Sequence, residues 1–267
     1  VSHRVLDELL AAAAAERPVA LLTLVGGSTT GAKALVSPGS ATGSLGTAGL
    51  DAAAFGDARA MLAQGSTGIR HYGANGEERG DAAEVFIQSF APPPRMYVFG
   101  AIDFSRATVR IGKLLGYHVT VADARQAFAT RRRFPEADEV VVAWPHEFLA
   151  TAPVDERTVL CILTHDPKFD VPVLKVAVAT RAAYIGAMGS RSTHADRARR
   201  LREEGVSEED LGRIRGPIGL DLGARTPEEV AVAIAAEIIA ARYGKQAPSL
   251  SQGSGPIHWQ QAVAPAR

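Results

Sequence analysis

The chain has 267 residues, 46% hydrophobic and 22% charged, with 29 basic side chains against 29 acidic ones. That apolar content supplies a real core and excludes an intrinsically disordered chain, and the length suits one large domain or two modest ones. A formal charge of zero removes the electrostatic case for general nucleic-acid or anionic-membrane binding. The single cysteine, Cys161, cannot form an intramolecular disulfide, and its apolar neighbours Leu160 and Ile162 mark it as a small buried hydrophobe. No stretch approaches the ~18–20 uninterrupted apolar residues of a membrane span. Residues 1–15 open like a signal peptide, but Asp7 and Glu8 interrupt them, and Val5, Leu6, Leu9 and Leu10 fall at amphipathic-helix spacing. A soluble, cytoplasmic protein is expected.

Residues 1–90 predict a small α+β domain. After the first helix come strands at 20–25 and 34–36 joined by a glycine-rich turn, a helix at 50–64 and an alternating strand at 83–90. Residues 91–95, Ala-Pro-Pro-Pro-Arg, form a stiff linker that stops any preceding element. Between 96 and 244 the rhythm becomes strand, helix, strand, with apolar runs at 96–99, 119–122, 140–143, 160–163 and 183–188. Each run is short and continuously apolar, the signature of a parallel sheet covered on both faces. The first intervening helix places Phe104, Ala107, Ile111 and Leu114 on one stripe. Thr226, Pro227 and Glu229 make a capping box for a closing helix that carries Val230, Ile234 and Ile238 on one face. Residues 245–267 are rich in Pro, Ser and Gln and read as a tail. The predicted fold class is α/β, a small N-terminal α+β domain followed by a Rossmann-like parallel-sheet domain.

Gly100-Ala101-Ile102-Asp103 follows the first strand of that second domain, and Asp123 ends the next strand. This is the layout of a dinucleotide-binding unit, with diphosphate on the helix N-terminus and the later acid on the ribose. Ile102 stands where a second glycine should admit the diphosphate, however, and Asp103 puts an anion where an anion should dock. Binding of NAD(P) through this turn is disfavoured on both counts, and Asp103 has the alternative role of helix cap. Gly189-Ser190-Arg191 follows a buried strand and opens a polar helix, with Ser190 or Ser192 as cap. Free N–H groups and a guanidinium there suit a phosphate or carboxylate, although an ordinary strand-to-helix turn would look the same.

Thr164, His165 and Asp166 lie just past the fourth strand, where open α/β folds bind ligands, and could hold a polar heterocycle or move protons. The alternative makes Asp166 and Asp170 turn and cap residues. The glycine-rich loop 216–224 suits either close approach to a ligand or compact packing. Around Arg197, Arg199, Arg200 and Arg202 the nearby acids suggest a solvated, ion-paired helix face. Residues 26–33 imitate a phosphate-binding loop, but Ala32 stands where its lysine should be. No metal-ligand spacing and no nucleophile elbow is present, so no metal is expected and no catalytic residue is assigned.

The segments VTVADAR (119–125), RFPEAD (133–138), LTHDPKFD (163–170), YIGAMGSR (184–191) and PIGLDLGARTPEE (217–229) add up to a resemblance. In this order they resemble the XdhC/CoxI family, accessory proteins in the maturation of xanthine dehydrogenase and carbon monoxide dehydrogenase. The resemblance implies a chaperone rather than a turnover enzyme. It would bind a molybdopterin-type molybdenum cofactor transiently and deliver it to a molybdenum hydroxylase apo-enzyme, with a cofactor sulfurase as a further partner and a homodimer as its assembly. It adds Arg125 to the cofactor-binding candidates Gly100, Ala101, Asp123, Thr164, His165, Asp166, Gly189, Ser190 and Arg191. The family commonly carries a cysteine in a glycine-rich turn of the small domain, and Gly49 stands at that position here. Two alternatives stay open, an NAD(P)-dependent oxidoreductase on a degenerate Rossmann unit and a ligand-free assembly protein.

Overall fold

A computed structural model describes residues 2–15, 17–77, 80–164 and 166–252. The chain divides into two compact units, Val1–Pro94 and Arg95–Arg267. Of the expected tail, residues 253–267 lie outside the described ones.

The first unit contains α1 (Ser2–Ala14), β1 (Val19–Gly26), β2 (Lys33–Val36), β3 (Ala41–Gly43), α2 (Ala48–Gln64), β4 (Gly68–Tyr72) and β5 (Ala83–Phe90). Its five strands form an antiparallel sheet in the order β3-β2-β1-β5-β4. Alternation along β1 and β2 decides which helix covers which face. Ala20, Leu22, Leu24, Ala34 and Val36 pack with Leu50, Ala54, Ala58 and Met61 of α2. Val19 and Leu35 pack instead with Val5, Leu9 and Ala12 of α1. Thr47 caps α2 by accepting from the Leu50 N–H, and the Asp51 carboxylate accepts from the Leu45 N–H at 2.6 Å and the Ser44 hydroxyl at 2.7 Å. Strands β3 and β4 carry too few apolar residues to stand out in the sequence.

The second unit runs β6 (Arg95–Phe99), α3 (Asp103–Leu114), β7 (His118–Ala122), β8 (Glu139–Val141), α4 (Pro145–Thr151), β9 (Val159–Ile162) and α5 (Pro167–Val178). It continues with β10 (Tyr184–Ala187), α6 (Arg191–Glu203), α7 (Glu208–Gly212), β11 (Ile214–Arg215) and α8 (Pro227–Arg242). The six strands pair in parallel in the order β11-β10-β9-β6-β7-β8. The expected α/β class with a parallel, Rossmann-like sheet is what the chain forms.

Strict alternation again builds the layers. Met96, Val98, Val159 and Cys161 face one core with Val109 of α3 and Ile234 and Ile238 of α8. Tyr97, Phe99, Leu160 and Ile162 face the other, with Leu149 of α4, Val173 and Leu174 of α5 and Leu201 of α6. The capping box at α8 is present, with Thr226 accepting from the Glu229 N–H at 3.2 Å and the Glu229 carboxylate from the Thr226 N–H at 3.0 Å. The buried face of α3 differs from the expected stripe. It consists of Ser105, Ala107, Thr108, Val109 and Gly112, while Leu114 is 80% exposed. Gly112 explains the rotation, because a Cβ there would meet Met96 Sδ at 2.7 Å, so the helix turns its narrowest surface to β6.

Leu174 is fully buried, so Leu174→Ala is expected to cost about 2–5 kcal/mol. Leu114→Ala on the exposed side of α3 should change stability by less than about 0.5 kcal/mol. Urea denaturation of the two variants checks both values.

Candidate functional site

From β6 the chain runs outward through β7 to β8, then returns to β9 on the other side of β6. Ligands of open parallel sheets bind at the carboxyl ends of the strands where this reversal occurs. The loops after β6, β7, β9 and β10 carry the sequence candidates Gly100 and Ala101, Asp123 and Arg125, Thr164 and Asp166, and Gly189, Ser190 and Arg191. His165 lies outside the described residues.

Gly100 has φ +104, and a Cβ there would meet Thr164 Cγ2 at 2.8 Å. Only glycine lets the β6 and β9 loops come this close. The Ser105 hydroxyl donates back to the Gly100 carbonyl and closes the turn. The cap of α3 is Ile102, which offers no side-chain hydrogen bond, so the expected capping role of Asp103 does not hold. Ala101 is tied to Asp123, which keeps the chain extended through Ile102, and Asp103 becomes the first helical residue, 3.4 Å from Arg133 Nη2.

Asp123 is only 3% exposed. Its Oδ2 accepts from the Ala101 N–H at 2.6 Å and from Arg125 Nη2 at 2.7 Å. Its Oδ1 accepts from the Arg125 N–H at 2.8 Å and from Arg125 Nε at 3.0 Å. A carboxylate offers about four acceptor sites, so these four donors fill it. Burial pushes this carboxyl up, but the hydrogen bonds from the Arg125 side chain, the Ala101 N–H and the Arg125 N–H outweigh it and hold the group below the usual carboxylate range. The Arg125 guanidinium is stabilised in turn, first by Asp123 and further by the charge of Asp166 across the crevice. It also lies 4.7 Å from the ring centre of Phe128, with Arg133 at 5.2 Å from the same ring.

The β9 and β10 loops are fixed from below. The Thr164 hydroxyl donates to Asp170, whose carboxylate meets Arg197 Nη2 at 2.7 Å, and the same nitrogen donates to the Met188 carbonyl at 2.8 Å. Arg197 is 4% exposed and so departs from the expected solvated face. Its neighbours Arg199, Arg200 and Arg202 do pair at the surface with Asp196, Glu203 and Glu208. Asp170 packs inside α5, and Asp166 is the cap of that helix, accepting from the Lys168 N–H at 3.0 Å. No local pattern signals the Asp170–Arg197 pair, because the partners are far apart in the chain and Arg197 sits among surface arginines.

Past β10, Gly189 has φ +144 and Ser190 caps α6 by accepting from the Thr193 N–H at 3.1 Å. The hydroxyls of Ser192 and Thr193 lie 2.7 and 2.8 Å from Ser190 Oγ. Arg191, 88% exposed, reaches Asp221 only at 3.7 Å. A cation in the first helical turn opposes the helix dipole, and an anion placed there would satisfy both it and the first-turn N–H groups. The glycine-rich loop behaves as packing: Ile218, Gly219 and Leu220 donate to Ala187, Glu237 and Ala233 at 2.8–3.1 Å. Burial pushes the Cys161 thiol up to about 12, so it is no nucleophile. Among the described residues no three His, Cys, Asp or Glu side chains are grouped to hold a metal ion, and no helix is long and apolar enough to cross a membrane.

Two family models match the chain, one described as the XdhC Rossmann domain over residues 96–238 and one as the XdhC and CoxI family over residues 12–73. The chain belongs to the XdhC family. It is 32% identical over 158 residues to a probable xanthine dehydrogenase subunit of Bacillus subtilis, covering 59% of this chain and 46% of that one. It is 29% identical over 164 residues to the molybdenum cofactor insertion chaperone PaoD of Escherichia coli, covering 61% and 45%. This XdhC-family chain thus spans about half the length of these curated relatives. A crystal structure of a xanthine dehydrogenase from Bacillus halodurans shares the fold, with TM-score 0.64 and 23% identity over 90% of this chain and 66% of that one. In the small unit, a Cβ at Gly49 would run into the Asn75 carbonyl oxygen, so backbone fills the space of the cysteine expected there from the family.

Asp123→Asn removes a carboxylate that four donors satisfy, and is expected to lower stability by about 1–3 kcal/mol at pH 7. Because the folded carboxyl titrates below its ordinary value near 3.9, the wild-type advantage stands in full above about pH 4. It is lost as pH falls through the lower folded value. Urea denaturation of both proteins at neutral and acid pH measures this difference.

Proposed function

We propose that the chain is an accessory protein that binds the molybdenum cofactor transiently and assists its maturation and insertion into a molybdenum hydroxylase of the xanthine or carbon monoxide dehydrogenase type. Membership of the XdhC family supports this reading, as do the names of two relatives. The observation that carries it is the filled carboxylate of Asp123. A nicotinamide enzyme on this fold needs that carboxylate for a ribose and a small residue at 102 for the diphosphate. Here Arg125 and Ala101 take the first, and Ile102 stands at the second. The crevice therefore keeps a Rossmann outline while its usual ligand is disfavoured.

The cargo is an anionic pterin phosphate, and the residues at the crevice fit that class. Arg191, the hydroxyls of Ser190, Ser192 and Thr193 and the open first turn of α6 would take the phosphate. Gly100, Ala101, Arg125, Thr164 and Asp166 would form the remaining wall, with His165 in the same segment. No thiolate is offered to the metal, since Cys161 is fully buried and position 49 carries glycine. The partner on this reading is the apo-hydroxylase, with a sulfurase upstream, a homodimer as the working assembly and the cytoplasm as its place. The chain acts by holding and releasing cargo and catalyses no step.

Anaerobic calorimetric titration with the isolated cofactor, NADH and NADPH tests the proposal. The cofactor should bind and the two nicotinamides should not. Arg191→Ala should weaken cofactor binding about 10- to 100-fold, the weight of a charge-assisted contact, with thermal stability unchanged because Arg191 is exposed. Binding of NADH or NADPH without binding of the cofactor would overturn it.

A further inference from the structure

Trp144 stands at the cap position of α4 and makes no side-chain cap bond. Ser, Thr, Asp or Asn is favoured there, so the indole gives the helix no cap, although the Trp144 carbonyl accepts from the Phe148 N–H at 3.0 Å. It is also 40% exposed, against the tendency of a large aromatic ring to be covered. A residue that violates both local preferences is expected where a site requires it.

Its surroundings say what for. The ring lies 5.2 Å from that of Phe169, tilted by 34°, so the first turn of α5 supports it from one side. Lys168 Nζ sits 5.7 Å from the Trp144 ring centre and 4.9 Å from that of Phe169. Among the described residues no carboxylate pairs with this ammonium. His146 lies 6.1 Å away, and its buried Nδ1 has no hydrogen-bond partner among the described residues. Although Trp144 follows the edge strand β8, α4 packs against α5, and this brings the indole to the loop after β9. Asp166, whose charge reaches Arg125, lies in that same loop. The cluster thus borders the crevice of the reversal point.

We infer that Trp144, backed by Phe169 and flanked by Lys168, is the stacking shelf for the planar heteroaromatic ring of an anionic ligand, the ring portion of the cargo proposed above. An aromatic face next to an ammonium that no carboxylate pairs with among the described residues attracts such a ligand by stacking and by charge together. The inference rests on the proposed function and adds to it. Arg191 would hold the phosphate, and Trp144 and Lys168 the ring, so two separate contacts recognise two chemically different ends of one ligand.

The chain has two tryptophans, Trp144 and Trp259, so Trp259→Phe leaves Trp144 as the sole indole reporter. In that background the full chain is titrated anaerobically with isolated molybdenum cofactor and, separately, with inorganic phosphate as a ligand without a ring. Cofactor should quench the Trp144 emission. Trp144→Ala should weaken cofactor binding about 10- to 100-fold, the usual weight of a base-on-aromatic stack, while Trp144→Phe retains most of it. Lys168→Ala should weaken it less. Phosphate affinity should stay the same in all variants.

Cofactor binding by Trp144→Ala equal to wild type would overturn the shelf while leaving the proposed function standing. An equal fall in phosphate affinity would also overturn it, because the tryptophan would then act through the fold alone. Absence of cofactor binding by the wild-type chain would overturn both.

Discussion

A carboxylate buried at the end of a parallel strand must be satisfied from nearby, and the geometry of the crevice follows from how Asp123 meets that demand. Its donors come from two loops, Ala101 after β6 and Arg125 after β7. Each is thereby held at a fixed height above the sheet. Asp170 does the same for the other pair of loops, joining Thr164 after β9 to Arg197 and, through it, to the Met188 carbonyl at the end of β10. Removing one partner of the Asp170–Arg197 pair, where both side chains are buried, would leave an uncompensated charge at a cost of about 3–5 kcal/mol. Electrostatics here organises a binding edge, and the apolar layers beneath supply most of the stability.

The same lock explains why a Rossmann outline need not imply nicotinamide chemistry. The position that would hold a ribose is filled from within the chain, and exposed cationic groups lie elsewhere, at Arg191 and Lys168. The fold provides the crevice, whereas side chains decide what it accepts. In the small unit the departure has a comparable cause. The start of α2, where the cysteine would stand, packs its backbone against Asn75, so Gly49 is required by the contact as well as being unable to bind a metal.

Much of the second unit is legible from residues alone, because buried parallel strands read as short apolar runs and the capping box at Thr226 is a local signal. Strands β3 and β4 are not, since Ala41–Gly43 and Gly68–Tyr72 owe their state to pairing rather than to hydrophobicity. The stripe on α3 misleads through Leu114, as periodicity cannot see that Gly112 sets the contact with β6. At the site, turns announce themselves by glycine and position. Arg197 cannot, because burial of one arginine in a run of surface arginines depends on Asp170, 27 residues earlier. Trp144 escapes notice for a similar reason, its meaning coming only from Phe169 and Lys168 on another helix.

Hydrogen exchange of the full chain, followed anaerobically with and without the molybdenum cofactor, tests most directly whether the carboxyl edge of the parallel sheet holds the cargo. Added protection is expected in the segments 100–105, 123–134, 143–148, 163–170 and 188–194, with the remaining amides unchanged. Protection confined to residues 1–94, or exchange unaltered by the cofactor throughout, would contradict a cargo site at that edge.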